Sequence, residues 1–330
     1  MFEPRYKGGV LLNIDFKSLE IGVSAMVSHD PSMIQILLDG DDYHSMTARN
    51  IWNLPKDEPV PKDVRSKAKA ASFGSIYGES AMGLSSKEGI PLKDAEEVLD
   101  GLMKAYPLLD KKIQDTQKMA ETKHYVEMIS GFRRRLDKIN SNDKAIQSRT
   151  LRQSFNAVVQ GSGAYCTNTA LIVLRAIFEK LHLKSLMVLT VHDSIVIDVH
   201  PDEIDTVYKI CTYVFSHLPI PELNNLPIGN LNVPEELKQS PTTYRFPMVG
   251  EAEIGLNYND DVDFDPEEFK DFASLTGYCK YKYSMLKLNE HLGMYDTEKY
   301  TKDDKEEQVT KYKNAIKKLE DNKSLFEKVR

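Results

Sequence analysis

Arg65, Lys69, Phe73 and Tyr77 stand four residues apart in a segment, 64–78, whose composition reads as helix. Four helical residues turn through about 400°, so the set makes one stripe drifting by about 40° per step. Two cations followed by two aromatics are ill suited to an apolar core. They suit a ligand with a polyphosphate at one end and a flat ring at the other. Arginine offers a fork to terminal phosphate oxygens, lysine a point charge, and the aromatics a stacking face. The plainer alternative is a half-buried helix whose cations snorkel to water. Asp15 closes an apolar run, Gly9–Asp15, that reads as a short buried strand. Asp193 sits at the centre of 186–199, two β-branched runs flanking His192-Asp193 that read as a hairpin. Two carboxylates on adjacent strands are what a pair of Mg²⁺ ions requires, one to activate a hydroxyl and one to steady leaving phosphate oxygens. Either aspartate alone is more readily a turn or cap residue. The pair, with a phosphate-grade helix between them in the chain, is the sharper pattern.

The elements that must position these groups are legible in outline. Residues 16–29 carry Leu19, Val23 and Met26/Val27 at helical spacing. A polar, proline-bearing loop occupies 53–63, and Asp63 is the expected cap of a helix beginning near Val64. Residues 92–124 form a long amphipathic helical region broken at Tyr106-Pro107, since proline disfavours helix just before it. Prolines recur through 219–247 and mark an irregular connection. Beyond about 266 the chain is rich in Lys, Asp, Glu and Tyr. There Val309, Tyr312, Ile316 and Leu319 make one apolar helix stripe, expected to dock on the protein's own body.

The 330 residues allow two or three domains, and 41% hydrophobic content is enough for a sizeable core. No apolar run approaches the length of a membrane-spanning helix, and the N-terminus lacks a secretory apolar segment. Three widely spaced cysteines, Cys166, Cys211 and Cys279, offer neither a disulfide framework nor a metal knuckle, as expected of a cytoplasmic protein. Net charge is −7, which argues weakly against a nucleic-acid binder. Its distribution reverses that argument: residues 101–153 hold 12 Lys/Arg against 6 Asp/Glu, so the middle of the chain can face a polyanion.

Five ordered motifs then resemble family A DNA polymerases, the bacterial polymerase I and phage replicase group. Asp15-Phe-Lys-Ser-Leu-Glu20 resembles the family's first carboxylate motif, and Arg65-x3-Lys69-x3-Phe73-x3-Tyr77-Gly78 its fingers helix. Ser130-Gly-Phe-Arg-Arg-Arg-Leu136, then Arg152-x3-Asn156-x3-Gln160-Gly161, then Val191-His192-Asp193 follow in family order. The resemblance covers roughly residues 1–257. It implies that Asp15 and Asp193, with the Phe16 carbonyl, bind two Mg²⁺ ions, and that Lys69 counts with the aspartates as catalytic. Arg65, Lys69 and His44 would grip an incoming dNTP, Phe73 would lie against its sugar, and Tyr77 near the templating base. Glu20 would be the steric gate against a ribose 2′-hydroxyl. Arg152, Asn156, Gln160 and His192 would meet primer–template DNA, the first three along its minor groove. Arg133, Arg134 and Arg135 would meet phosphates.

The resemblance implies an α+β fold: an antiparallel palm sheet with a helical fingers insertion that closes on a correct base pair, the thumb and exonuclease domains being absent. The expected organisation is palm at 1–45, fingers at 46–140, palm again at 141–258, and a helical C-terminal extension at 259–330 that could dock. The expected function is template-directed nucleotidyl transfer to a primer 3′-hydroxyl. Only 14 residues precede Asp15, so a split polymerase with a second polypeptide supplying thumb and exonuclease-like parts is expected, in a host cytoplasm if phage-encoded. Ser194 stands where many family members have Glu, which is expected to weaken metal affinity. Two rivals remain: a catalytically silent DNA-binding subunit, and a single-subunit RNA polymerase, against which Glu20 speaks.

Overall fold

The computed structural model describes residues 3–258, 261–263, 277–279, 281, 284, 285, 288, 289 and 302–321. In chain order the first half runs β1 (Val10–Phe16), α1 (Leu19–Ser28), α2 (Pro31–Leu38), α3 (Tyr43–Trp52), α4 (Lys62–Tyr77), α5 (Ala81–Glu88), α6 (Leu92–Ala105), α7 (Pro107–Lys123), β2 (Tyr125–Glu127) and β3 (Arg133–Arg135). Then come α8 (Lys144–Lys180), β4 (Leu186–Val191), β5 (Ser194–Val199), α9 (Ile204–Ser216), β6 (Leu226–Pro227), β7 (Lys238–Ser240), β8 (Thr243–Tyr244), β9 (Gly250–Gly255), β10 (Asp261–Asp263) and α10 (Lys302–Asp321). Helices and antiparallel strands together make an α+β architecture. Two compact units divide the chain: 1–17, 170–216 and 249–330 form one, and 18–169 with 217–248 form the other.

The first unit holds a five-stranded sheet in the order β10-β9-β1-β5-β4. Its described pairings are all antiparallel, with Leu12 opposite Ile197 on one side and Ile254 on the other. Val10, Leu12, Ile14 and Phe16 alternate onto one buried face of β1, as the period of a strand demands. Helix α9 covers the sheet there with Val207, Cys211, Val214 and Phe215, and the Phe16 and Phe215 rings lie 4.2 Å apart. Burying a ring of that size stabilises by about 2–3 kcal/mol. Register, not side-chain preference, therefore decides what the end of β1 displays.

The second unit is mostly helical. Tyr106-Pro107 separates α6 from α7, proline taking the first position of the new helix, where its missing N–H costs nothing. Asp30 caps α2 by accepting from the N–H groups of Ser32 and Met33, and its other oxygen accepts from Leu108 N–H at the start of α7. Tyr43 is buried and stacked on Tyr106 at 5.7 Å, which fixes the entry to α3. Helix α4 begins two residues earlier than expected and corrects one reading: Pro61 precedes it without a side-chain cap, and Asp63 lies inside the first turn. Its other end is a glycine stop. Gly78 takes φ +69°, and Glu79 N–H reaches the Gly74 carbonyl at 2.8 Å. A Cβ there would lie 2.0 Å from the Arg152 carbonyl oxygen, so α4 can meet α8 only through glycine.

Val309, Tyr312 and Ile316 of the expected apolar stripe are half-buried on α10. The side chain of Leu319, and most of 259–301 and 322–330, lie outside the described residues. Among the described residues no helix is long and apolar enough to cross a membrane.

Candidate functional site

In the sheet unit, β1 pairs with β5 so that Ile14 faces Ile195. One step further the register sets Asp15 beside Ser194 and Asp193 at the closed end of the β4–β5 hairpin. Neighbouring strands lie about 4.8 Å apart, so the two aspartate backbones stand well within a nanometre. Val191 pairs with Ser194 across the two-residue turn His192-Asp193, and His192 holds φ +56°. Both aspartates are half-buried and His192 is exposed. The Phe16 side chain turns into the core, leaving only its main chain for the site.

A further carboxylate, missed in the sequence, sits on the other flank. Glu251 of β9 is the cross-strand partner of Asp15, and Lys17 Nζ pairs with it at 3.0 Å. Only the fold reveals that pairing, because the two strands are separated by most of the chain. Among the described residues no three His, Cys, Asp or Glu side chains gather closely enough to hold an ion by themselves. Two carboxylates and a main-chain carbonyl nonetheless match Mg²⁺, a hard cation that keeps several waters and takes substrate phosphates as further ligands.

In the helical unit, Glu20, Lys69, Phe73 and Tyr77 line one cleft of about 600 Å³, together with Ser66, Ala70, Lys87 and Glu88. The predicted stripe is thus real along three of its four members, and Phe73 stacks on Tyr77 at 6.1 Å. Glu20 Oε1 accepts from the Tyr77 hydroxyl at 3.3 Å and from Gln160 Nε2 at 3.2 Å. That joins Glu20, the α4 stripe and Gln160 of α8 in one hydrogen-bonded set. Arg65 goes elsewhere: its guanidinium clasps Asp42, with Nε 3.0 Å from Oδ1 and Nη2 2.7 Å from Oδ2. The pair holds the Asp42 carboxyl below its ordinary range and the Arg65 guanidinium above its own. Asp42 was not singled out in the sequence, although it lies two residues from His44.

His44 is buried against Phe73, 5.5 Å between ring centroids, and its Nδ1 has no hydrogen-bond partner. Burial, with Arg65 and Lys69 nearby, pushes its pKa down to about 4 despite Asp42, so the ring is neutral at pH 7.

Arg152, Asn156 and Gln160 stand at four-residue spacing on α8, and Asn156 Oδ1 is buried without a partner. The β2–β3 hairpin exposes Arg133, Arg134 and Arg135, Arg133 being paired with Glu127 at 2.7 Å. A Cβ on Gly161 would meet Met128 at 2.7 Å, and Ile129 N–H bonds Ser162 Oγ at 3.2 Å, so the turn of the hairpin is seated on α8 beside Gln160.

Comparison with known proteins accords with this arrangement. Residues 1–234 match the profile of DNA polymerase family A. The chain is 31% identical over 281 residues to a DNA polymerase of Bacillus phage SP01, covering 82% of this chain and 28% of that protein. It is 30% identical over 216 residues to DNA polymerase I of Bacillus subtilis, covering 66% of this chain and 24% of that protein. The chain thus spans about a quarter of the length of these curated relatives. Its fold is similar to the POL domain of Pol1 from M. smegmatis, solved in complex with DNA primer-template and dNTP. The TM-score is 0.64 at 23% identity, over 78% of this chain and 41% of that one.

Proposed function

This chain belongs to DNA polymerase family A, and we propose that it is the catalytic core of a template-directed DNA polymerase. The observation that carries the reading is the position of Asp15 near the end of β1 and of Asp193 in the turn that leads into its neighbour β5, in a chain with this ancestry. In this reading residues 1–45 and 141–258 act as palm, 46–140 as fingers, and 259–330 as a C-terminal extension.

The reaction joins a primer 3′-oxygen to the α-phosphorus of a dNTP, breaks the bond to the bridging oxygen, and releases pyrophosphate. Asp15, Asp193 and the Phe16 carbonyl would hold two Mg²⁺ ions. When bound, such ions supply activation of the attacking hydroxyl and neutralisation of the leaving phosphates. Arg65, Lys69 and neutral His44 bind the triphosphate, and Lys69 stabilises the charge that develops on it. Phe73 lies against the sugar and Tyr77 near the templating base. Glu20 excludes a 2′-hydroxyl; its carboxylate is already held by Tyr77 and Gln160, so its position is set before the nucleotide arrives. Arg152, Asn156 and Gln160 read the minor groove without regard to sequence, their N–H groups donating to the acceptors that all base pairs present there. His192 meets primer–template DNA, and Arg133, Arg134 and Arg135 supply salt-sensitive phosphate contacts.

Primer extension by wild type and Asp193→Ala, with dNTPs and then rNTPs, tests this reading. The expected result is dNTP incorporation that falls at least about 1,000-fold in the variant. Equal incorporation by the two proteins, including none, points instead to a binding subunit.

A further inference from the structure

Asp42 occupies a place in the triphosphate site that neither its sequence nor its family makes plain. Its carboxylate takes the Nε and Nη2 edge of Arg65, the side-on approach to a guanidinium. Arginine carries five N–H donors in a rigid plane. Side-on pairing leaves both hydrogens of Nη1 and the outward hydrogen of Nη2 unused by Asp42. Those form the other fork of the plane, which matches two phosphate oxygens as well as the first matches a carboxylate. The pair is 42% exposed at Arg65 and 39% at Asp42, so that second fork is within reach of a ligand.

Asp42 is itself held firmly. It is the residue before α3, where Oδ1 accepts from Ser45 N–H at 3.2 Å, and the next residue, Tyr43, is buried against Tyr106. A long arginine side chain normally loses much rotamer freedom when it binds a ligand. Here that freedom is already spent on a partner anchored to a helix start. His44, with its unpartnered Nδ1, stands in the first turn of the same helix, so both side chains are aimed from one rigid mount.

We propose that Asp42 is a positioning residue for nucleotide binding, clasping one edge of Arg65 so that the opposite edge is presented to the triphosphate. The inference rests on the reading of Arg65 as a phosphate-binding group. It names no contact between Asp42 and substrate; the carboxylate acts wholly through Arg65.

The test separates guanidinium orientation from helix capping. Asn is as good a cap as Asp but cannot accept two charged N–H donors side-on. The dissociation constants of one dNTP and of inorganic tripolyphosphate are measured by calorimetry with the full chain in Mg²⁺. The proteins are wild type, Asp42→Asn, Arg65→Ala and the double variant, with thermal melting of each. Asp42→Asn is expected to weaken both ligands on the order of tenfold, with melting within a few degrees of wild type. The double variant is expected to bind no more weakly than Arg65→Ala. Wild-type affinity in Asp42→Asn, beside weakened Arg65→Ala, overturns the positioning role and leaves the nucleotide site standing. Tighter binding by Asp42→Asn also overturns it, because the carboxylate would then be a competitor for the fork. Unchanged binding by Arg65→Ala overturns both the inference and the phosphate role of Arg65.

Discussion

In the sheet unit, Asp15 and Asp193 owe their positions to main-chain pairing: β1 lies between β5 and β9, and the ladder sets what each strand end displays. In the helical unit, Arg65, Glu20 and His44 owe theirs to individual side chains and close approaches: Asp42 for the guanidinium, Tyr77 and Gln160 for the carboxylate, Phe73 for the imidazole. A ladder has many interchangeable bonds, so replacing a half-exposed side chain at its end leaves the geometry intact. A network of single contacts can be altered one member at a time. The two units should therefore answer mutation differently, the sheet losing chemistry without losing stability, and the helical unit losing one function per residue.

The largest effect should come where the helical unit has no alternative contact. Gly78→Val places a β-branched side chain at φ +69° and drives its Cβ into the Arg152 carbonyl. The expected loss is at least about 3 kcal/mol in urea unfolding. A loss under about 1 kcal/mol would show that α4 and α8 do not meet closely there.

Glu20→Ala should have a smaller and more selective effect. It removes the acceptor shared by Tyr77 and Gln160 and the bulk expected to face a 2′-hydroxyl. Incorporation of rNTP relative to dNTP should rise about 10–100-fold, or roughly 1.4–2.7 kcal/mol, while unfolding moves by less than about 1 kcal/mol. An unchanged ratio would remove Glu20 from sugar selection.

The smallest expected effect is a pH dependence carried by His44. Its folded-state pKa is about 4 against an ordinary 6.5, so between those values the unfolded chain binds a proton that the folded chain refuses. Stability must then fall on acidification through that window, by at most about 1.4 kcal/mol per pH unit. Asp42, whose carboxyl is lowered by Arg65, adds loss in the same direction at the acid end. Urea unfolding at pH 7 and pH 5 should show a smaller difference for His44→Gln than for wild type. An equal difference would mean that the ring is not held neutral by burial.

Much of the positioning framework could be read before the fold was known. The apolar run ending at Asp15 is β1, the runs around His192-Asp193 are β4 and β5, and Tyr106-Pro107 divides α6 from α7. Each is a local signal: strand periodicity, β-branched enrichment, or a proline that breaks helix. The α4 stripe was also legible, since four-residue spacing is a property of the helix itself. What escaped were partnerships between remote residues. Asp42 with Arg65, Glu20 with Gln160, and Asp15 with Glu251 depend on how elements pack, and no spacing in the chain announces them. Asp63 misled because a carboxylate near a helix start resembles a cap, while the helix had already begun at Lys62, directly after Pro61.

The claim on which the rest stands is that Asp15 and Asp193 share bound divalent ions. It is met most directly by titrating the full chain with Mn²⁺ in the presence of a dNTP and reading water-proton relaxation. Wild type, Asp15→Asn, Asp193→Asn and the double variant are to be compared, with thermal melting alongside. Each single replacement should abolish the protein-dependent relaxation signal, the double should lose no more than either single, and melting should stay within a few degrees. Wild-type Mn²⁺ binding in either single variant, or losses that simply add in the double, would contradict a shared site.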